Sequence, residues 1–151
     1  MRLSFYKNLL YKRLSNNKVN LVYVPLGLYW FILFILTSIP TDALPTVGGI
    51  DKIEHFLAYA VLAFMLGLAF YFQSAFHLSL KLKFLFSFSI SLTYGILDEL
   101  HQIPIPGRYF DWWDLFSNFI GILIGLTLLK WFINVGKSDL GYSEDGTKDS
   151  D

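Results

Sequence analysis

Four apolar segments, each long enough to cross a lipid bilayer, constrain this chain more than any other feature. They run at about residues 21–39, 53–72, 80–101 and 112–132. About 20 apolar residues in a helix span the hydrocarbon core of a bilayer. With 54% hydrophobic residues in 151, the chain is also more apolar than a soluble domain of this size requires. The sequence therefore predicts an all-α, polytopic membrane helix bundle with about four transmembrane helices.

The distribution of positive charge predicts the orientation of the bundle. Of the 12 Lys and Arg residues, only Lys52 and Arg108 fall in segments that would lie outside if the N-terminus is inside. Cytoplasmic loops of membrane proteins carry the excess of such residues. We therefore predict both termini in the cytoplasm of a bacterium and a multi-pass protein of its inner membrane. Three regions follow, a basic cytoplasmic flank (1–19), the four-helix membrane domain (20–133) and a disordered cytoplasmic tail (134–151).

Several classes of function are excluded by what the chain lacks. It has no cysteine, so disulfides, thiolate metal sites and cysteine nucleophiles are absent. No G-x-S-x-G, phosphate-binding glycine loop or dinucleotide fingerprint occurs. The apolar stretch Leu21–Ile39 is too long for a signal peptide and is expected to be retained. Juxtamembrane charge accounts for the basic flank, so no nucleic-acid partner is expected.

Polar side chains form a stripe at helical spacing on each of the last three spans. The second span carries Asp51, His55 and Tyr59. The third carries Ser87, Ser91, Tyr94, Asp98 and Gln102. The fourth carries Asp111, Asp114, Asn118, Gly121 and Gly125. Because ionisable groups at the edge of hydrocarbon are costly, we expect the stripes to meet in a polar pocket at the outer face. The small glycines predict a close helix contact.

The polar residues also occur as three ordered motifs. These are Asp51-Lys52-x-x-His55-x-x-x-Tyr59, Asp98-Glu99-x-x-Gln102 and Pro106-Gly107-Arg108-x-x-Asp111-x-x-Asp114-x-x-x-Asn118-x-x-Gly121. Over about residues 20–133 the chain resembles the VanZ-like family of small bacterial membrane proteins. Pro104 departs from the aromatic residue common there. The family's namesake is associated with low-level resistance to the glycopeptide teicoplanin, so the resemblance implies engagement of an envelope component or of a glycopeptide.

Two residues are the candidates for catalysis. His55 could act as a general base whose tautomer is held by Asp51 one turn earlier, or it could be a structural histidine. Adjacent helical residues point about 100° apart, so Asp98 and Glu99 cannot both face one pocket fully. Asp98 continues the polar stripe and is preferred. The carboxylates could instead belong to an ion-pair network that only holds the helices together.

The other polar residues are predicted to bind substrate. They are Asp51, Lys52, Tyr59, Glu99, Gln102, Arg108, Asp111, Asp114 and Asn118. Arg108, after the Pro106-Gly107 turn, could clamp a phosphate or carboxylate, or lock its loop onto Asp111 or Asp114. The excess of acids disfavours a bare phosphate and favours a cation, an amine, sugar hydroxyls or a metal-bridged phosphate. No cofactor is expected, although Asp and His ligands are compatible with a divalent metal.

Three classes of function remain from the sequence. The protein could bind an envelope component or glycopeptide, it could be a hydrolase or transferase acting on lipid-linked or cell-wall headgroups, or it could be a non-catalytic structural membrane protein. A transporter is disfavoured because the charged positions cluster at one end rather than at the midplane. Membrane lipids are expected partners, and the oligomeric state is open.

Overall fold

A computed structural model describes residues 2–40 and 50–138. Five α-helices, and no strand, occur in this part of the chain, and they are α1 (Arg2–Asn16), α2 (Val24–Thr37), α3 (Ile50–Phe72), α4 (Leu80–Gln102) and α5 (Trp112–Ser138). Four stretches are long and apolar enough to cross a membrane: Val19–Thr37, Ile50–Phe72, Leu80–Gln102 and Trp112–Asn134. The predicted all-α fold with four membrane-length helices is confirmed.

The structure changes one predicted boundary. Helix α5 continues to Ser138, so the position predicted as the start of a disordered tail, residue 134, is still helical. The rest of that tail, from residue 139, and residues 41–49 between α2 and α3 lie outside the described residues. The side of the membrane on which the termini lie stays a prediction.

A wide helical turn introduces the first membrane span. Residues Val19–Tyr23 form a π-helical turn that leads directly into α2, and the Val24 N–H bonds to the carbonyl oxygen of Val19. Pro25 follows immediately, at the start of α2, and it has no N–H to donate. A proline ring also crowds the carbonyl four residues before it, and the wider turn accommodates that carbonyl.

The core of the bundle is the contact between α3 and α5, the most extensive of any helix pair. Two glycines of α5 make it close: a Cβ on Gly121 would collide with the Phe56 carbonyl, and one on Gly125 with the Ala60 carbonyl. This confirms the predicted helix contact on the glycine face of the fourth span. Helix α4 packs against both members of the pair, and α2 adds a smaller contact at the edge.

Polar contacts concentrate at the two ends of the bundle. At one end, α1 docks on α3 through a hydrogen bond between the Tyr11 and Tyr71 hydroxyls, 2.9 Å long. There Lys18 donates to Ser74 at 2.9 Å and Lys83 donates to the Tyr71 carbonyl at 3.1 Å. The opposite end, where α3 and α5 begin and α4 ends, holds the predicted polar layer. We call it the site end.

Candidate functional site

His55 lies buried where α3 faces α4 and α5. Its Nδ1 is 3.1 Å from Oδ1 of Asn118, and its Nε2 is 3.9 Å from Oδ2 of Asp114. Because an amide oxygen can only accept, this contact uses an N–H at Nδ1, and Nε2 faces the Asp114 carboxylate. The imidazole is thus oriented by α5.

The expected partner of His55, Asp51, does not hold it. The Asp51 side chain is half exposed and pairs with Lys52, and no hydrogen bond to His55 occurs in the described structure. Both residues lie on one side of α3, but Asp51 is in the first turn, beyond the reach of the helices that bury His55. The prediction that Asp51 fixes the tautomer is therefore wrong, and Asn118 takes that role.

Glu99 is fully buried, with no exposed surface. Its Oε2 accepts a hydrogen bond from the Asp111 N–H at 3.1 Å, and its Oε1 lies 3.9 Å from Nδ1 of His55. The sequence favoured Asp98 over Glu99 as the residue facing the interior, and the structure buries both of them. Helix α4 has neighbours on both sides, so faces 100° apart are both covered.

Asp98 occupies a separate position beside the Glu99 cluster. The Tyr59 hydroxyl donates to Oδ2 of Asp98 at 3.1 Å. The Tyr59 ring in turn stacks on the His55 imidazole with a centroid distance of 6.5 Å. The proposed catalytic pair, His55 and Asp98, shares no hydrogen bond within the described part of the chain, and Tyr59 is the residue that contacts both.

Lys52 joins three carboxylates at the edge of the site end. Its ammonium lies 2.7 Å from Asp111, 2.8 Å from Asp114 and 2.9 Å from Asp51. The hydrogen bond from Lys52 holds the pKa of Asp111, which precedes α5, below its ordinary value. Three acids around one ammonium stabilise the charged form of the lysine and tie α3 to the start of α5.

Arg108 contacts backbone carbonyls and the Gln102 side chain rather than acids. Gly107 before it has a φ of 76°, a left-handed conformation that glycine adopts readily. The guanidinium donates to the Ile39 carbonyl through Nε at 3.3 Å and to Oε1 of Gln102 through Nη1 at 3.4 Å. Of the two roles left open for Arg108, the pairing with Asp111 or Asp114 does not occur in the described structure, and the binding of a phosphate or carboxylate stays a prediction. Free carbonyls at the end of α2 attract the cation instead.

One pair at the site end was missed by sequence reasoning. The Ser38 hydroxyl lies 3.0 Å from Nε2 of His101, and it joins the end of α2 to the end of α4. The His101 ring also packs on Phe34, with a centroid distance of 5.0 Å. A serine at the end of an apolar span was the only available signal, and it does not identify a partner.

Several buried polar atoms lack a hydrogen-bond partner within the described residues. At the site end these are Glu99 Oε1, Gln102 Nε2, Asn118 Nδ2 and Asp114 Oδ1, the last of which is ion-paired with Lys52 at 2.8 Å. Along the α4 stripe they are Ser91 Oγ and Tyr94 OH. One group of potential metal ligands occurs in the same part of the chain. His55, Glu99 and Asp114, all buried, each place a donor atom within 4.8 Å of the others. These three residues could hold a metal ion.

A family model described as VanZ/LLP1 matches residues 5–133 of the chain. The match therefore includes most of α1, which lies before the region of resemblance noted in the sequence, and every residue of the site end. No curated protein and no solved structure matches the chain.

Proposed function

The chain belongs to the VanZ/LLP1 family, and from this membership and the site geometry we propose that it binds a cell-envelope component at the site end. The observation that carries the proposal is the buried cluster of His55, Glu99 and Asp114. Charged groups inside a membrane protein are expensive and usually mark a site. Four membrane-length helices support a multi-pass location, and we place the protein in a bacterial inner membrane.

The site end faces the extracytoplasmic side in this proposal. Support comes from the charge distribution, since Lys18, Lys81 and Lys83 lie at the opposite end of the bundle with the basic α1. The segments at the site end contain two Lys or Arg residues, Lys52 and Arg108. Lysine and arginine are retained on the cytoplasmic side far more often than they are translocated. Envelope precursors in the outer leaflet would then have direct access to the site.

The ligand is an amine- or hydroxyl-bearing part of an envelope component or of a glycopeptide antibiotic. Acids outnumber bases at the site end, and Lys52 is already shared among Asp51, Asp111 and Asp114. An uncompensated phosphate would be repelled, whereas ammonium and hydroxyl donors complement carboxylate acceptors. Occupation of an envelope component would change the access of a glycopeptide to it, and in this proposal that change would confer glycopeptide tolerance.

A network that only holds helices together explains the site less well. Buried polar networks stabilise a fold when each member is satisfied, and a partly satisfied network is costly. Here Glu99 Oε1, Gln102 Nε2 and Asn118 Nδ2 have no hydrogen-bond partner in the described structure. Such atoms could bond to a ligand that enters the cluster.

An enzyme acting on lipid-linked or cell-wall headgroups is the second candidate. The observation that favours it is the oriented imidazole of His55, with Nδ1 at 3.1 Å from Asn118 and Nε2 facing Asp114. An oriented base beside a carboxylate is the arrangement that hydrolases and transferases use for proton transfer.

The binding proposal is tested by glycopeptide susceptibility. Wild type, Glu99→Gln and the control Glu54→Gln, which removes an exposed acid of α3, are expressed in a susceptible bacterium. We expect wild type and Glu54→Gln to lower teicoplanin susceptibility and Glu99→Gln to have no effect, at equal membrane abundance and equal melting temperature. If Glu99→Gln loses its effect on susceptibility only in proportion to its loss of folded protein, the proposal is contradicted and a structural network is favoured.

Binding and catalysis separate at His55. In the enzyme, His55→Gln abolishes turnover of isoprenoid-linked precursors by purified protein, because proton transfer is lost. In the binder, no turnover is found and the same variant weakens ligand binding only modestly, since glutamine retains hydrogen-bonding atoms.

A further inference from the structure

We propose that His55, Glu99 and Asp114 form a binding site for a divalent first-row metal ion. The residues come from α3, α4 and α5, and their donor atoms lie within 4.8 Å of one another. The metal site uses the same cluster as the proposed function, but it does not depend on the identity of the envelope ligand. A short sequence motif of metal ligands could not reveal this site, because each of the three helices supplies only one donor.

The strongest argument is the state of Glu99. The residue has no exposed surface, its Oε2 is bonded to the Asp111 N–H, and its Oε1 has no hydrogen-bond partner in the described structure. This unpartnered oxygen lies 3.9 Å from Nδ1 of His55, the ring nitrogen that also contacts Asn118. An isolated carboxylate in a low-dielectric interior is strongly destabilised unless a cation or a proton compensates it. A metal ion supplies that compensation.

Each of the three residues is held by one atom and offers another. His55 contacts Asn118 through Nδ1, and its Nε2 faces Oδ2 of Asp114 at 3.9 Å. Asp114 is held through Oδ1, 2.8 Å from the Lys52 ammonium. Glu99 is held through Oε2. Metal ligands in proteins are oriented by such outer hydrogen bonds, most often from the second nitrogen of a histidine. The arrangement therefore has the outer contacts of a metal site as well as the ligands.

The donor set identifies the class of ion. One imidazole with two carboxylates suits Zn²⁺ or Mn²⁺ better than Ca²⁺ or Mg²⁺, which prefer oxygen ligands alone. The two carboxylates also balance a double positive charge. Ligands at about 2.1 Å from an ion lie roughly 3–3.5 Å apart. The three donor atoms, within 4.8 Å of one another, would therefore approach each other on binding an ion. Three protein donors leave coordination positions open for water or a ligand.

The proposal is tested on the full chain, purified in detergent with a tag that contains no histidine and freed of metal with a chelator. Zn²⁺ and Mn²⁺ are titrated separately by calorimetry, and Mn²⁺ binding is also followed by electron paramagnetic resonance. We expect one saturable site for at least one of the two ions. We expect Glu99→Gln and Asp114→Asn to weaken its affinity by at least about tenfold, since even outer-shell changes cost 10–100-fold.

Two controls keep the test sharp. Glu54→Gln removes an exposed carboxylate of α3 and is expected to keep wild-type affinity. Melting curves recorded in chelator show which variants are folded without metal. Because Glu99 and Asp114 lie on different helices, the result does not depend on a single variant being folded. Absence of saturable binding by wild type, or binding that survives both ligand variants, would overturn the metal site. If the wild-type protein binds metal but its expression does not change glycopeptide susceptibility, only the proposed function is refuted.

Discussion

Nδ1 of His55 lies 3.1 Å from Oδ1 of Asn118, and this contact joins α3 to α5 across 63 residues of sequence. Both side chains are buried, and Asn118 has no exposed surface at all. The pair sets the direction of the imidazole and therefore which acid each ring nitrogen faces, Glu99 for Nδ1 and Asp114 for Nε2. Its removal should affect both the fold and the site.

The first prediction concerns this pair. Asn118→Leu should destabilise the protein by about 1–3 kcal/mol, because the buried imidazole loses its partner and stays unsatisfied. Thermal unfolding in detergent measures the change, and nitrogen-15 NMR of His55 should show the loss of a single preferred tautomer. The control is Ser117→Ala, whose hydroxyl bonds only to the Trp113 carbonyl of its own helix. Equal effects of the two substitutions would contradict the role of Asn118.

The second prediction tests the close contact of α3 with α5. Gly121→Ala should lower the free energy of unfolding by about 1–3 kcal/mol or more. The added Cβ collides with the backbone carbonyl of Phe56, which cannot rotate away. Gly27→Ala on α2 is the matched control, since a Cβ there has open space around it. Melting temperature and folded yield in detergent are the measurements. If both variants melt like wild type, the helices do not approach as described.

The third prediction uses the Lys52–Asp111 ion pair, 2.7 Å long. The hydrogen bond from Lys52 lowers the pKa of Asp111 in the folded protein. A lowered folded pKa stabilises the fold above the ordinary pKa of about 4, and this stabilisation is lost as pH falls through the folded value. Wild type should therefore lose stability more steeply than Asp111→Asn below about pH 4. Parallel curves for the two proteins in acid unfolding would contradict the assignment.

The fourth prediction tests the orientation. The chain has no cysteine, so single cysteines report without background. Tyr109→Cys lies in the exposed loop at the site end, and Ala75→Cys lies in the loop at the opposite end. An impermeant thiol reagent applied to intact cells should label the cysteine at 109 and not the one at 75. The reverse pattern would place the site end in the cytoplasm and remove its access to outer-leaflet ligands.

Much of the architecture was predictable because it depends on properties local to each segment. The length of an apolar run determines whether a helix can span a bilayer, and the four spans follow from that alone. The period of the helix determines which residues share a face, so the buried stripe through Ser87, Ser91 and Asp98 and the glycine face of α5 were predictable.

The pairing of side chains across helices was decided only by the tertiary structure. Periodicity locates a residue around its own helix axis, but a contact also depends on how neighbouring helices are rotated and shifted against each other. For this reason His55 meets Asn118 rather than Asp51, and Glu99 is buried beside His55. Arg108 likewise reaches the end of α2, since the relative position of two spans is absent from either sequence segment. The sequence by itself determined which residues would be buried and polar, and packing determined which of them could act together.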